Sequence, residues 1–503
     1  VNRPAALTRQ CIVGLVVLLA IGAALRFHYN NVVRYGNGDE YHYRLQLQQI
    51  NNHGWQAYPG LVKAHLVVDP DYPAPYRWGY LAVGQFACFL RQTCDERSLA
   101  WVSTFSGLAV VTLVAMLGLT LVGRRTALLA TALAITSPLH LDLGRRAYAD
   151  ELHTACVLLA LWCLARVAMK SNSEQKARVY WVWVGLSVLA MTLAWSIKES
   201  ILFFVPAILV WLVWLRRVPK LRAIDLAIVL LPAAGFIAGF VWLNHGFSPL
   251  GELLSATHNS FLHRYSTFNQ YGPPHRPLIE LFSLSPVVLG LLPIVPFAAW
   301  GTAFAHSDAD DPGHIDDNSE YRRHAQALFL TFGLIVLGFF FLPKNLRFYA
   351  VLDPLARLLV AWFLCEVLPI TKSLSVLWWA ALILGHSALE LAIFHRTFVV
   401  SSVTDPTANA IFSALQVVPS DTWEKSWRPP AVVIVCGLLS ASFAWISASR
   451  PRFSRRSVVA AVIITGCALG LPQLLRPHRM IMGASPTSPR AETLGRPVNN
   501  ATQ

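Results

Sequence analysis

The sequence predicts an all-α polytopic membrane protein with about 13 transmembrane helices and a long first extracytoplasmic loop. Three observations predict it. Continuous apolar stretches long enough to cross a bilayer, about 17–25 residues, recur along most of the 503-residue chain. Only 14% of residues are charged and 55% are hydrophobic, whereas a soluble chain carries about 25% charged residues. The basic residues gather in short connections between the apolar runs, as orientation signals do. The runs are continuous rather than alternating, which excludes a β-barrel reading.

The spans fall in order near residues 10–27, 99–122, 126–142, 151–169, 179–197, 200–215, 223–243, 286–305, 325–342, 348–368, 373–394, 430–448 and 457–475. The first run lacks a small-residue cleavage site, so it is expected to stay as a first helix. Arg3 and Arg9, Arg124 and Arg125, "KSNSEQKAR" (170–178), "RRVPKLR" (216–222), Lys372 and "RPRFSRR" (450–456) then share one side. That side is expected to be cytoplasmic. The segment "WGYLAVGQFACFL" (78–90) is apolar but short, and as a full span it would invert every later loop. An interfacial or re-entrant helix fits it better.

The opposite face receives the first loop (28–98), a loop at 244–285 rich in His, Tyr and Pro, "LPKNLRFY" (342–349), a segment at 395–429 and a C-terminal tail at 476–503. The chain up to 475 reads as one transmembrane domain. The acidic insert "HSDADDPGHIDDNSEYRR" (306–323), within a connection spanning 306–324, falls on the cytoplasmic side and reads as a solvated loop. Its residue order is not that of a calcium-binding loop.

The formal charge of +14 is explained by the orientation signals, so no nucleic-acid partner is expected. The 8 Cys are scattered, with no CxxC pair, which disfavours a zinc knuckle or a disulfide framework. Cys88 and Cys94 can pair if their loop faces an oxidising compartment.

Ionisable residues beside hydrocarbon are costly and generally have a task or a partner. Several gather at the predicted outer ends of spans. Asp39 and Glu40 lie in "RYGNGDEYHYRLQL" (34–47), Arg145, Arg146, Asp150 and Glu151 in "LGRRAYADELH", and Lys198 and Glu199 in "WSIKESILF". Lys344 and Arg347 precede a span, and Asp353 and Arg357 inside it share one helical face. Taken singly, each has a structural explanation: a carboxylate at a helix start, a solvated turn, a pair within the bundle. Asp353 and Arg357 are expected to be such a structural pair. Together the acids and bases describe a pocket suited to a substrate with an interfacial phosphate and an apolar tail.

On these segments the chain resembles the GT-C glycosyltransferases, of the protein O-mannosyltransferase and aminoarabinose-transferase type. "GDEYHYRLQLQQI" is similar to the family's first-loop Asp-Glu followed by an amphipathic helix. "YPAPYRWGYLAVGQFACFL" resembles its Pro-Pro-Leu segment, with Pro73 and Pro75 split by Ala74. "TSPLHLDLGRRAYADELHTACVLLAL" resembles its Pro, Arg, Asp order, and "AWSIKESILFFVP" its Lys-Glu turn. "LPKNLRFYAVLDPLARLLVAW" is close to its basic-Arg-Tyr segment, with Phe348 inserted and Asp353 unusual.

The resemblance implies a GT-C fold and inverting transfer from a polyprenyl-phosphate-linked sugar to an acceptor hydroxyl at the outer membrane face. It implies Asp39 as base, with Glu40 and Asp150 as supporting carboxylates. A phosphate leaving group needs cations more than a general acid. Arg347 and Lys344 are first candidates for it, then Lys198, Arg145 and Arg77. Tyr41, His258, His263 and Tyr265 are candidates for sugar or acceptor contact, and each can equally be a surface residue. No cofactor is demanded, although the acids could hold a divalent metal. The acceptor is a protein, or alternatively a lipid or envelope glycan. A lipid or sugar transporter is a rival of a different class, but the inverted repeats it predicts are not evident. A bacterial inner membrane is the expected location.

Overall fold

The computed structural model describes residues 8–30, 38–68, 75–169, 175–216, 222–246, 251–252, 281, 284–300, 315–339, 346–367 and 376–395. Among them every regular element is helical. Among the described residues five helices are long and apolar enough to cross a bilayer: α1 (Arg9–Asn30), α5 (Glu96–Leu121), α8 (Asp150–Met169), α9 (Gln175–Ile197) and α11 (Ala223–Leu243). The chain is an integral membrane protein. The two spans expected after residue 430 lie outside the described residues, as do the loops 253–280 and 396–429 and the tail.

Between α1 and α5 the first loop folds into three short helices, α2 (Gly38–His53), α3 (Tyr58–Val68) and α4 (Trp78–Arg91). With 14 residues, α4 is about 21 Å long, short of a roughly 30 Å hydrocarbon core. It stops where Gln92 adopts a left-handed φ of 57°. Cys88 and Cys94 then form a disulfide across the turn into α5, and Asp95 caps α5 by accepting from the Ser98 amide at 2.9 Å.

The expected span 126–142 is broken. It forms α6 (Arg124–Ile135) and a short α7 (Pro138–Leu143), because Pro138 cannot continue the ladder and Ser137 caps a new start. The next elements are a 3-10 turn (Glu199–Phe204) running into α10 (Val205–Arg216), and α12 (Pro286–Leu291) with α13 (Val295–Trp300). They end with α14 (Ile315–Phe339), α15 (Leu352–Trp362) and α16 (Val376–Phe394). Of the acidic insert expected as a loop, residues 306–314 lie outside the described residues. Residues 315–323 already belong to α14, where Glu320 and Arg323 pair at 3.4 Å one turn apart.

The core forms where α5 packs on α1, α6 and α8, α8 on α9, and α15 on α6 and α14. Small residues permit the closest approaches. A Cβ on Gly118 would lie 2.7 Å from the Ala127 backbone, so α5 and α6 touch main chain to main chain. On α1, Ile12, Val13, Val16, Val17 and Ile21 point outward as a lipid-facing stripe. The helix order puts the starts of α5 and α8 at one end of the bundle, with the ends of α1, α6, α9 and α11. Ser103 and Thr104 of α5 tie that end together by donating to the Tyr148 and Gly144 carbonyls.

Candidate active site

The acids and bases meet at this end. Gly38 opens α2, and Asp39 and Glu40 occupy its first turn. The next turn carries Tyr43, whose hydroxyl accepts from Arg77, the residue just before α4. Asp150 is the first residue of α8. Lys198 stands in the break between α9 and the 3-10 turn, and donates to Asp150. Arg347 belongs to a separate 3-10 turn (Leu346–Tyr349) just before α15.

Each adjacent acid takes a different arginine. Arg347 donates one hydrogen bond to Asp39 Oδ2 at 2.8 Å. Arg146 donates twice to Glu40, both at 3.1 Å, and the Ala147 amide adds a third bond at 3.2 Å. Glu40 is fully buried, whereas the Asp39 side chain keeps 28% exposure. Both arginines lie over the Tyr148 ring, Arg347 at 4.5 Å and Arg146 at 4.8 Å from its centroid. The Lys198 ammonium sits 4.0 Å over the Phe348 ring. The result is a closed loop of contacts, from Asp39 through Arg347, Tyr148 and Arg146 to Glu40.

The electrostatics follow from burial and neighbours. Burial alone would raise the Asp39 carboxyl, but Arg347 and Arg77 outweigh it and hold it below the ordinary 3.8. Burial pulls the Lys198 ammonium below its ordinary value, with Arg347 and Arg77 adding to the pull against Asp150. Burial pushes the Tyr148 phenol up. Four cations (Arg77, Arg146, Lys198, Arg347) face three carboxylates (Asp39, Glu40, Asp150).

Other expected site residues lie elsewhere. Arg145 is buried, donates to Asp142 at 2.7 Å and covers the Phe394 ring, on a different side of its turn from Arg146. Tyr41 is 43% exposed, with Arg44 over its ring. Lys344, His258, His263 and Tyr265 lie outside the described residues. Among the described residues no cluster of three or more His, Cys, Asp or Glu is arranged to hold a metal ion.

Two site features escaped the sequence reading. Arg146 stands among the expected outer-face cations but without a partner or role, Tyr148 is not singled out, and only the alternation Arg146, Tyr148, Asp150 hints at a shared face. Behind the site, Asp353 and Arg357 pair at 2.7 Å as expected, but they also join a larger buried network. Arg357 reaches Glu390 at 2.8 Å, Asp353 accepts from Ser137 at 2.8 Å, and His140 bridges to Glu151 at 2.7 Å.

Residues 83–242 match the family model for dolichyl-phosphate-mannose-protein mannosyltransferase. The chain is thus similar to a glycosyltransferase family over about a third of its length. The matched segment runs from α4 to α11 and holds Arg146, Tyr148, Asp150 and Lys198; Asp39, Glu40 and Arg347 lie outside it. Solved structures similar to the chain include ArnT from Cupriavidus metallidurans bound to undecaprenyl phosphate. That match has 15% identity and a TM-score of 0.48, and covers 93% of this chain and 77% of that one. Another is the archaeal oligosaccharyltransferase AglB from Archaeoglobus fulgidus, in complex with an inhibitory peptide and a dolichol-phosphate. Here identity is 14% and the TM-score 0.42, covering 83% of this chain and 60% of that one. No curated protein matches the sequence.

Proposed function

We propose that this chain is a membrane glycosyltransferase that moves a sugar from a polyprenyl-phosphate-linked donor to an acceptor hydroxyl by inverting single displacement. The observation that carries the reading is the cluster of Asp39, Arg347, Asp150, Lys198 and Arg77 at one end of the bundle. It brings a carboxylate base and several cations to one place.

In this reading the acceptor oxygen attacks the anomeric carbon from the face opposite the phosphate. The O–C bond forms as the C–O bond to phosphate breaks, and the electron pair leaves with the phosphate. Asp39 takes the acceptor proton. Arg347, Lys198 and Arg77 stabilise the departing anion, Arg347 through its planar fork. Glu40 holds Arg146 rather than meeting substrate. Asp150 holds Lys198 at the phosphate position, and its charge keeps that buried ammonium matched.

The disulfide between Cys88 and Cys94 supports an extracytoplasmic site, because it lies at the same end and such bonds persist in oxidising compartments. The basic connections at the other end support the same orientation. The acceptor is a hydroxyl-bearing protein, lipid or envelope glycan.

The test is transfer by the purified chain in liposomes with labelled polyprenyl-phosphate sugar and a membrane extract as acceptor source. Label in an acceptor supports the reading. Movement of the donor across the bilayer without transfer would replace it with a transporter.

A further inference from the structure

The Asp39–Arg347 pair poses a chemical problem for the proposed reaction. A carboxylate whose oxygen accepts from a guanidinium at 2.8 Å is a poor proton acceptor. The two neighbouring acid–arginine pairs are also built differently. Glu40 is fully buried and accepts two bonds from Arg146 and one from the Ala147 amide, so it is locked. Asp39 is joined to Arg347 through one oxygen, and both side chains keep partial exposure, 28% and 15%. The second pair can open.

Opening need not unseat the arginine. A guanidinium stacked on an aromatic ring uses its face there and leaves its in-plane N–H groups for oxygen acceptors. Arg347 lies over Tyr148, which Arg146 also covers. The ring and the carboxylate are thus different partners of one guanidinium, and the carboxylate can be exchanged while the ring contact stays. Arg77 and Lys198 lie beside Asp39 and Asp150, so further cations that suit the anionic oxygens of a phosphodiester stand at the same place.

We propose that Arg347 passes from Asp39 to the phosphate of the lipid-linked donor, with Tyr148 as its fixed seat, so that Asp39 becomes a competent base only when the donor is bound. Tyr148 is a positioning residue, acting through Arg347. This inference rests on the glycosyltransferase reading and deepens it. Its consequence is that donor binding and Asp39 protonation are linked. The groups facing Asp39 are Arg347, Arg77, Asp150 and Tyr148, with Lys198 behind Asp150. When Arg347 is taken by phosphate, the Asp39 carboxyl rises from below its ordinary value toward or above it. The bound form then holds more proton than the free form. Affinity must increase as pH falls toward and through the ordinary carboxylate range, levelling off below the depressed value of the free form, by at most about tenfold per unit for one proton.

The experiment is binding of undecaprenyl methyl phosphate to the full chain in nanodiscs, measured from pH 7 to 3. This phosphodiester carries the lipid and the phosphate without a sugar, and stays singly ionised throughout. We expect wild type to bind more tightly as pH falls, and Asp39→Asn to bind with no such slope. Tyr148→Phe keeps the ring and should keep affinity and slope, while Tyr148→Leu should bind about five- to tenfold more weakly. A flat wild-type profile, or a slope that survives in Asp39→Asn, overturns the hand-off. Equal binding by Tyr148→Leu overturns the seat. Absence of binding at every pH would instead reject the donor reading itself, which keeps the two failures distinct.

Discussion

Asp39 and Glu40 are neighbours with the same chemistry, yet their environments separate them. Glu40 is enclosed by Arg146 and a backbone amide, while Asp39 stays partly exposed and meets an arginine 308 positions further along the chain. On the proposed mechanism Asp39→Asn removes the base and should lower kcat at least about 100-fold, with donor binding preserved at neutral pH. Single-turnover transfer in liposomes checks this, and transfer at the wild-type rate would reject the assignment. Arg347→Lys keeps the charge but loses the planar fork that binds oxygen pairs and stacks on Tyr148. It should weaken donor affinity about tenfold or more while leaving thermal stability near wild type. An unchanged donor KM would remove Arg347 from the phosphate site.

At the scale of elements, the site depends on interruptions in helices. Pro138 ends one helical run, and Ser137 starts the next. The break after α9 frees Lys198 to reach Asp150. A short 3-10 turn presents Arg347. These interruptions need rigid helices around them, and the α5–α6 contact, backbone against backbone, is one of those that supply rigidity. Gly118→Leu would force side-chain atoms into the Ala127 backbone, 2.7 Å from the position of the new Cβ. It should destabilise the protein by about 1–3 kcal/mol or more, as overpacking does. A thermal-unfolding assay in detergent should show a clear fall in midpoint; an unchanged midpoint would mean that the two helices separate freely.

For the whole molecule, the buried network behind the site joins regions distant in sequence. Arg357 pairs with Asp353 and Glu390, and also donates to Ser285 and the Leu133 carbonyl. This links α15 and α16 to α6 and to the segment before α12. Removing one partner of a buried charge set leaves the others uncompensated, at a cost of about 3–5 kcal/mol. Arg357→Met should therefore lower yield of folded protein and thermal stability strongly. The double variant Arg357→Met with Glu390→Gln should recover part of the loss, because it removes a stranded carboxylate. Equal stability of the single variant and wild type would mean that the network contributes little.

Much of this architecture was legible in the sequence because its physical causes are local. A run of apolar residues crosses a bilayer whatever its neighbours are, and 14% charge content already excludes an ordinary soluble domain. The shortness of 78–90, the orientation signals and the position of Asp39, Asp150, Lys198 and Arg347 at the ends of spans all came from such local features, while the roles expected of those four came from the family resemblance. Three things needed the tertiary structure. It assigned each acid its partner, since Asp39 and Arg347 are 308 positions apart and spacing cannot pair them. It separated Arg145 from Arg146, whose adjacent side chains leave one short turn in different directions. And it revealed Tyr148, an aromatic residue unremarked in a basic turn, as the ring shared by two guanidiniums. Sequence by itself determined which residues must leave the lipid; only the packing of distant helices decided which of them meet, because a charge beside hydrocarbon is stabilised by whatever partner the fold brings to it.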